Sequence, residues 1–146
     1  MANYLIHFDG SCWPNPGGVA AYGYTVDKEG VEIAAVAGLV PSTLVPTSNN
    51  VAEFYALYAA LRAVMQDATE PVGKIEVRGD SQLVINVMDR KWRTNPEKLY
   101  FTAYALADEL REMLEFEDTE FTYNWIPREA NTRCDDLSKE INNAKM

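Results

Sequence analysis

The sequence predicts an α/β fold: one five-stranded mixed sheet whose first three strands form an antiparallel meander, with helices on both faces. Three observations lead there. Three β-type segments come first, then strand and helix patterns alternate, which is the order that crossover connections between parallel strands require. The meander is joined by a hairpin-type connection, and no repeat, linker or low-complexity tract divides the chain. At 146 residues the chain suits a single domain, 1–146, able to bury roughly two-thirds of its unfolded surface.

Each element has its own warrant. Residues 3–9 make the first strand, the apolar run YLIHF ending on Asp9 at the edge of the Gly/Pro-rich stretch FDGSCWPNPGG. AAYGYTV (20–26) and VEIAAVAGLV (31–40) follow, joined through DKEG as a hairpin. The loop PSTLVPTSNN leads into VAEFYALYAALRAVM (51–65), whose only charges are Glu53 and Arg62, so this helix is expected to be buried nearly all round. KIEVRGD (74–80) is a short strand, and SQLVINVMDR starts a helix at once. After WRTNP, residues 97–116 form a long amphipathic helix with an acidic outer face. TEFTYNWI (119–126) alternates as a strand, Pro127 stops it, and 131–143 form the last helix.

Composition narrows the function classes. A hydrophobic fraction of 47% is that of a soluble globule, and neither a leader nor a membrane-length apolar run is present, so a cytoplasmic protein with no membrane partner is expected. Cys12 and Cys134 are far apart with no CxxC, which gives no zinc site and no disulfide framework. The net charge of −9 argues against a nucleic-acid partner at first sight. Its distribution softens that: two-thirds of it lies in residues 108–120, where Asp108, Glu109, Glu112, Glu115, Glu117, Asp118 and Glu120 face one base, Arg111. Elsewhere Arg90, Lys91 and Arg93 surround Trp92 in a compact basic group.

Three carboxylates stand where chemistry gathers in such sheets, at the carboxyl ends of strands. Asp9 and Asp80 end strands, and Glu53 opens a helix. Each has an ordinary local explanation. Asp9-Gly10 reads as a turn pair, Asn50 to Glu53 as a capping box, and Asp80 as the cap of the next helix. Together they would repel one another in a buried cluster unless a cation neutralised them, and hard oxygen ligands suit Mg²⁺ or Mn²⁺.

FDGSCWPNPGG, SNNVAEFYALYAAL, VRGDSQLVINV and WIPREANTRCDDLSKE, in this order across residues 3–142, resemble the four motifs of the type 1 ribonuclease H family. The resemblance implies an RNase H-like fold and hydrolysis of the RNA strand of an RNA–DNA hybrid, with 5′-phosphate and 3′-hydroxyl ends. It also implies that Asp9, Glu53, Asp80 and Asp135 are the catalytic residues and bind two Mg²⁺ ions, with Mn²⁺ as a substitute. Asp9 would bridge the ions, Asp135 would stand on the side of the attacking water, and Glu53 and Asp80 on the leaving-group side. Substrate contacts fall on Gly10, Ser11 and Cys12 through the backbone and on Asn15, Asn49, Asn50 and Gln82, with Arg90, Lys91, Trp92 and Arg93 as a reduced basic patch. A monomer is expected. At about 100° per residue, Cys134, Leu137, Ser138 and Ile141 share one stripe of the last helix, which places Asp135 at its border and Asp136 towards water.

Two departures from the family stand out. PREANTR replaces a His-bearing, Gly-containing loop, and a subgroup of the family shares the Pro-Arg-Glu form. The one histidine, His7, lies inside the first strand and reads as a packed residue. The basic protrusion is missing, so modest, salt-sensitive affinity is expected. Cys12 and Cys134 each adjoin a proposed ligand, which opens the question of a redox pair. Two competing readings are a hybrid-binding module without catalysis and a DNA-acting nuclease of the same superfold; the complete acidic set opposes the first, the Asn pair the second.

Overall fold

A computed structural model describes residues 1–145, with side chains described through Ile141; Met146, the last residue of the expected domain, lies outside the described residues. The chain runs β1 (Ala2–Trp13), β2 (Val19–Lys28), β3 (Val31–Leu39), α1 (Asn49–Asp67), β4 (Val72–Gly79), α2 (Gln82–Met88), α3 (Phe101–Phe116), β5 (Glu120–Trp125), a 3₁₀ turn (Arg128–Ala130) and α4 (Thr132–Lys145). The strands form one sheet in the order β3-β2-β1-β4-β5. β1, β2 and β3 pair antiparallel, while β4 lies parallel to both β1 and β5. The expected order of elements and the mixed sheet are those observed.

The core explains the apolar runs. Ile6, Phe8, Val26, Ile75 and Val77 of the sheet are closed off by Phe54, Leu57, Leu61 and Val64 of α1, all fully buried. Ala52, Ala56 and Ala60 keep the helix close to the strands. α3 packs on α1 through Phe54, which stacks on Tyr100 at 5.0 Å and meets Tyr104 edge-on at 5.8 Å. On the other face α4 crosses β2 and β1, where Gly23 leaves room for Leu137.

Most boundaries shift by a few residues, and three of the shifts are instructive. β1 does not end at Asp9. Its pairing with β2 continues to Trp13, whereas its pairing with β4 stops at Phe8 opposite Gly79. Beyond Phe8 one edge of β1 is therefore open, and Asp9 is the first residue of that overhang. Residues 97–100 precede α3, which starts at Phe101, and α2 ends at Met88 because Arg90 takes a left-handed conformation, φ 61°.

Candidate active site

The local explanations offered for the carboxylates do not hold in the folded chain. Asp9-Gly10 is not a turn: both residues stay in strand pairing, with Asp9 opposite Gly23 and Gly10 opposite Tyr22. Gly10 is required by close approach, since a Cβ there would collide with the backbone of Ala52 and Glu53. The cap of α1 is Ser48, whose hydroxyl accepts from Val51 N at 3.1 Å, so Asn50 and Glu53 form no capping box. The cap of α2 is Ser81, which accepts from Val84 N at 3.2 Å and leaves the Asp80 carboxylate uncommitted. Two serines do the capping, which frees two acids for other chemistry.

Oxygens of Asp9, Glu53 and Asp80 lie within 4.8 Å of one another. Asp9 and Glu53 are buried, at 4% and 7% exposure. Burial pushes the Asp9 carboxyl up to about 6, with the neighbouring Glu53 carboxyl opposing and the Asp80 and Asp135 charges adding. Burial likewise raises Glu53 well above the carboxylate range, helped by the adjacent Asp9 carboxylate and opposed by the Gly10 N–H. That N–H donates to Glu53 Oε1 at 2.7 Å, whereas Glu53 Oε2 is buried with no hydrogen-bond partner. An orphaned buried oxygen facing two further carboxylates is a costly arrangement by itself. A hard divalent cation fits it, through oxygen donors alone.

Asp135 arrives from α4. It lines the same cavity of about 700 Å³ but stands outside the tight group of three. Its carboxylate meets Arg128 Nη2 at 3.3 Å and Lys139 Nζ at 3.1 Å. Burial pushes its pKa up, but the hydrogen bond from Lys139 and its other close partners outweigh this and hold it below the usual range. Asp136 is exposed and lies in a separate surface hollow with Arg133, as the helical stripe predicts. Asn131 fixes the start of α4: its Nδ2 donates to Phe8 O at 2.9 Å, next to Asp9, and its own carbonyl accepts from Asp135 N at 3.0 Å. Ser11 Oγ ties β1 to the Ser138 carbonyl at 2.7 Å.

A family model for RNase H matches residues 1–142. The chain belongs to the RNase H family. It is 34% identical over 146 residues to the bifunctional protein Rv2228c of Mycobacterium tuberculosis, a match covering 96% of this chain and 35% of that protein. The chain thus spans about a third of the length of the mycobacterial relatives it matches. It is 36% identical over 135 residues to the ribonuclease HI of Halobacterium salinarum, covering 92% of this chain and 61% of that one. LC11-RNase H1, solved in complex with an RNA/DNA hybrid, superposes with a TM-score of 0.82 at 27% identity, covering 98% of this chain and 99% of that one. The RNase H-like fold expected from the motifs is the fold observed.

Against this RNase H framework the other expected contacts divide. Gly10, Ser11, Cys12, Asn49 and Asn50 line the cavity. Asn15 is exposed and outside the cavity lining, its Oδ1 accepting from Asn49 N at 3.0 Å, and Gln82 opens α2 as an exposed residue also outside it. Arg90, Lys91, Trp92 and Arg93 also lie outside it. Arg90 is bound to Glu115 at 2.7 Å and Lys91 to Asp89 at 3.3 Å. Sequence reasoning missed Arg128, Lys139 and Asn131 as neighbours of the carboxylates; only the four-residue step from Asp135 to Lys139 was a readable signal. Both cysteines are free and buried, and burial pushes the Cys134 thiol up to about 12, so it is an inert core group. His7 is half-buried in β1, and burial lowers its pKa.

Proposed function

We propose that residues 1–146 form one catalytic domain that hydrolyses the RNA strand of an RNA–DNA hybrid, leaving 5′-phosphate and 3′-hydroxyl ends. The observation that carries this reading is the buried oxygen cluster of Asp9, Glu53 and Asp80, with Glu53 Oε2 unpartnered, on the open end of β1 in an RNase H fold. Asp9, Glu53 and Asp80, joined by Asp135, would hold two Mg²⁺ ions. Such a pair stabilises the entering and departing oxygens of an in-line displacement at phosphorus. The hybrid complex of LC11-RNase H1 supports the choice of substrate.

The chain's own residues have separate tasks. Gly10 N–H holds Glu53 Oε1 in place, and Asn131 anchors Phe8 so that Asp9 keeps its position. The open edge of β1 at Gly10 to Cys12 and the amides of Asn49 and Asn50 offer both donors and acceptors to a 2′-hydroxyl, the group that marks RNA. Arg128 and Lys139 neutralise Asp135 from one side of the cavity. A monomer suffices, since all four acids come from one chain. The two unpaired cysteines favour a reducing, cytoplasmic setting, and no described helix is long and apolar enough to cross a membrane.

The test is incubation of the purified protein with labelled hybrid, duplex RNA and duplex DNA, with Mg²⁺ and with excess chelator. Cutting is expected only in the RNA of the hybrid and only with Mg²⁺ or Mn²⁺, and Asp9→Asn should abolish it with the fold retained. Undiminished cutting in chelator would remove the metal mechanism, and binding without cutting would make the protein a hybrid-binding module.

A further inference from the structure

All three tryptophans are exposed, Trp13 by 70% and Trp92 and Trp125 by 47% each. Isolated exposed apolar side chains are ordinary on protein surfaces. Trp13 and Trp125 are not isolated, because both line the cavity that holds the carboxylates. Trp13 ends β1 and Trp125 ends β5, and β4, which leads into Asp80, runs between these strands in the sheet. The indoles therefore flank the carboxylates from opposite sides.

Both indoles are presented by fixed backbone. Behind Trp13, residues 14–18 are tied down: Gly18 N donates to Pro14 O and Gly17 N to Thr47 O, each at 2.8 Å, and Thr47 Oγ1 donates to Gly18 O at 2.7 Å. A Cβ at Gly18 would strike the backbone of Trp13 and Pro14, so this packing needs glycine. Trp125 is anchored through Nε1, which donates to the Asp80 carbonyl at 3.1 Å. Groups held in advance lose little freedom on contact with a ligand. A large apolar ring presented to water from a fixed backbone, on the wall of the cavity that holds the carboxylates, is a surface suited to being covered.

Charge points the same way. The chain carries a net −9, and the cavity cations Arg128 and Lys139 are engaged with Asp135. Attraction to a polyphosphate is correspondingly weak, so affinity has to come from contacts that do not release counterions. An indole face against sugars and base edges is such a contact, because it takes apolar surface of both partners out of water. The wide, shallow minor groove of an A-like duplex admits a ring against its sugars.

We infer that Trp13 is a substrate-contact residue that, with Trp125, forms an aromatic clamp on the nucleic acid astride the carboxylates and supplies the salt-insensitive share of its binding. This rests on the hybrid being the substrate. The test uses the Asp9→Asn protein, so that a fluorescently labelled hybrid stays intact, with binding followed by anisotropy over a range of KCl. Adding Trp13→Ala is expected to weaken binding about tenfold at every KCl concentration, to leave the salt slope unchanged, and to leave thermal stability intact; Trp13→Phe should recover most of the loss. Binding within about twofold of the Asp9→Asn parent, or a loss that shrinks as KCl rises, would overturn the clamp. If the parent binds no hybrid and the wild-type chain cuts none, the ribonuclease reading falls and the clamp with it, an outcome distinct from a parent that binds while Trp13 proves irrelevant.

Discussion

At the scale of single residues, Asp9 and Glu53 trade stability for a cation site. Asp9 has a folded pKa of about 6 against an ordinary 3.8, caused first by burial. The folded chain therefore binds the proton more tightly than the unfolded chain, and the ion-free fold loses stability as pH rises from about 4 through about 6. Above that window the full penalty is present. Asp9→Asn removes it, so in chelator at pH 7.5 the variant should be more stable than the parent by about 1–3 kcal/mol, a rise in Tm of roughly 3–10 °C. At pH 4 the two should melt together. Equal melting temperatures at pH 7.5, read by circular dichroism, would show that Asp9 carries no such burden.

At the scale of elements, the register of α4 decides which acid joins the site. Asp135 faces the cavity between Arg128 and Lys139, whereas Asp136 points outwards. Asp135→Asn should therefore lower kcat by at least about a hundredfold, in line with loss of one electrostatic group at a reacting centre. Asp136→Asn should change it by less than about twofold. The comparison is made at one Mg²⁺ concentration on folded proteins, and the reverse result would shift the helix by one residue. That register was legible in the sequence because Cys134, Leu137, Ser138 and Ile141 repeat with the helical period. The element order was legible for the same reason, from apolar runs such as YLIHF and VAEFYALYAAL. What could not be read was set by tertiary partners. Nothing local distinguishes Ser48 from Asn50 as the cap of α1, and the choice follows from where β1 presses on Glu53. The overhang of β1 was equally hidden, since it depends on where β4 stops. Arg111, one base among seven acids by sequence, proves to be buried, donating to the Met88 carbonyl and to Asp108.

At the scale of the whole molecule, the excess of acid is concentrated away from the cavity, largely on α3 and the segment after it. Of the basic group at 90–93, Arg90 and Lys91 have carboxylate partners, and among the described residues Arg93 has none. Arg93→Ala is therefore expected to raise KM more than it lowers kcat and to reduce the slope of log affinity against log salt by roughly one, the release from a single phosphate contact. Arg90→Ala should instead act through the fold by freeing Glu115. An unchanged slope for Arg93→Ala would leave this group as a solvated loop.

The parallel pairing of β1 with β4 also orders events in time. Strands that run the same way need a long crossover, and here it comprises β2, β3 and α1. The meander can close on itself as soon as β3 is made, yet Asp9 meets Asp80 only after β4 has left the ribosome and docked, and Asp135 follows later still. The group of three is thus complete once β4 docks, and the fourth acid joins it only with α4. A copy cut short before α4 lacks Asp135, and under the proposed function it would hold the substrate-cleaving site unfinished.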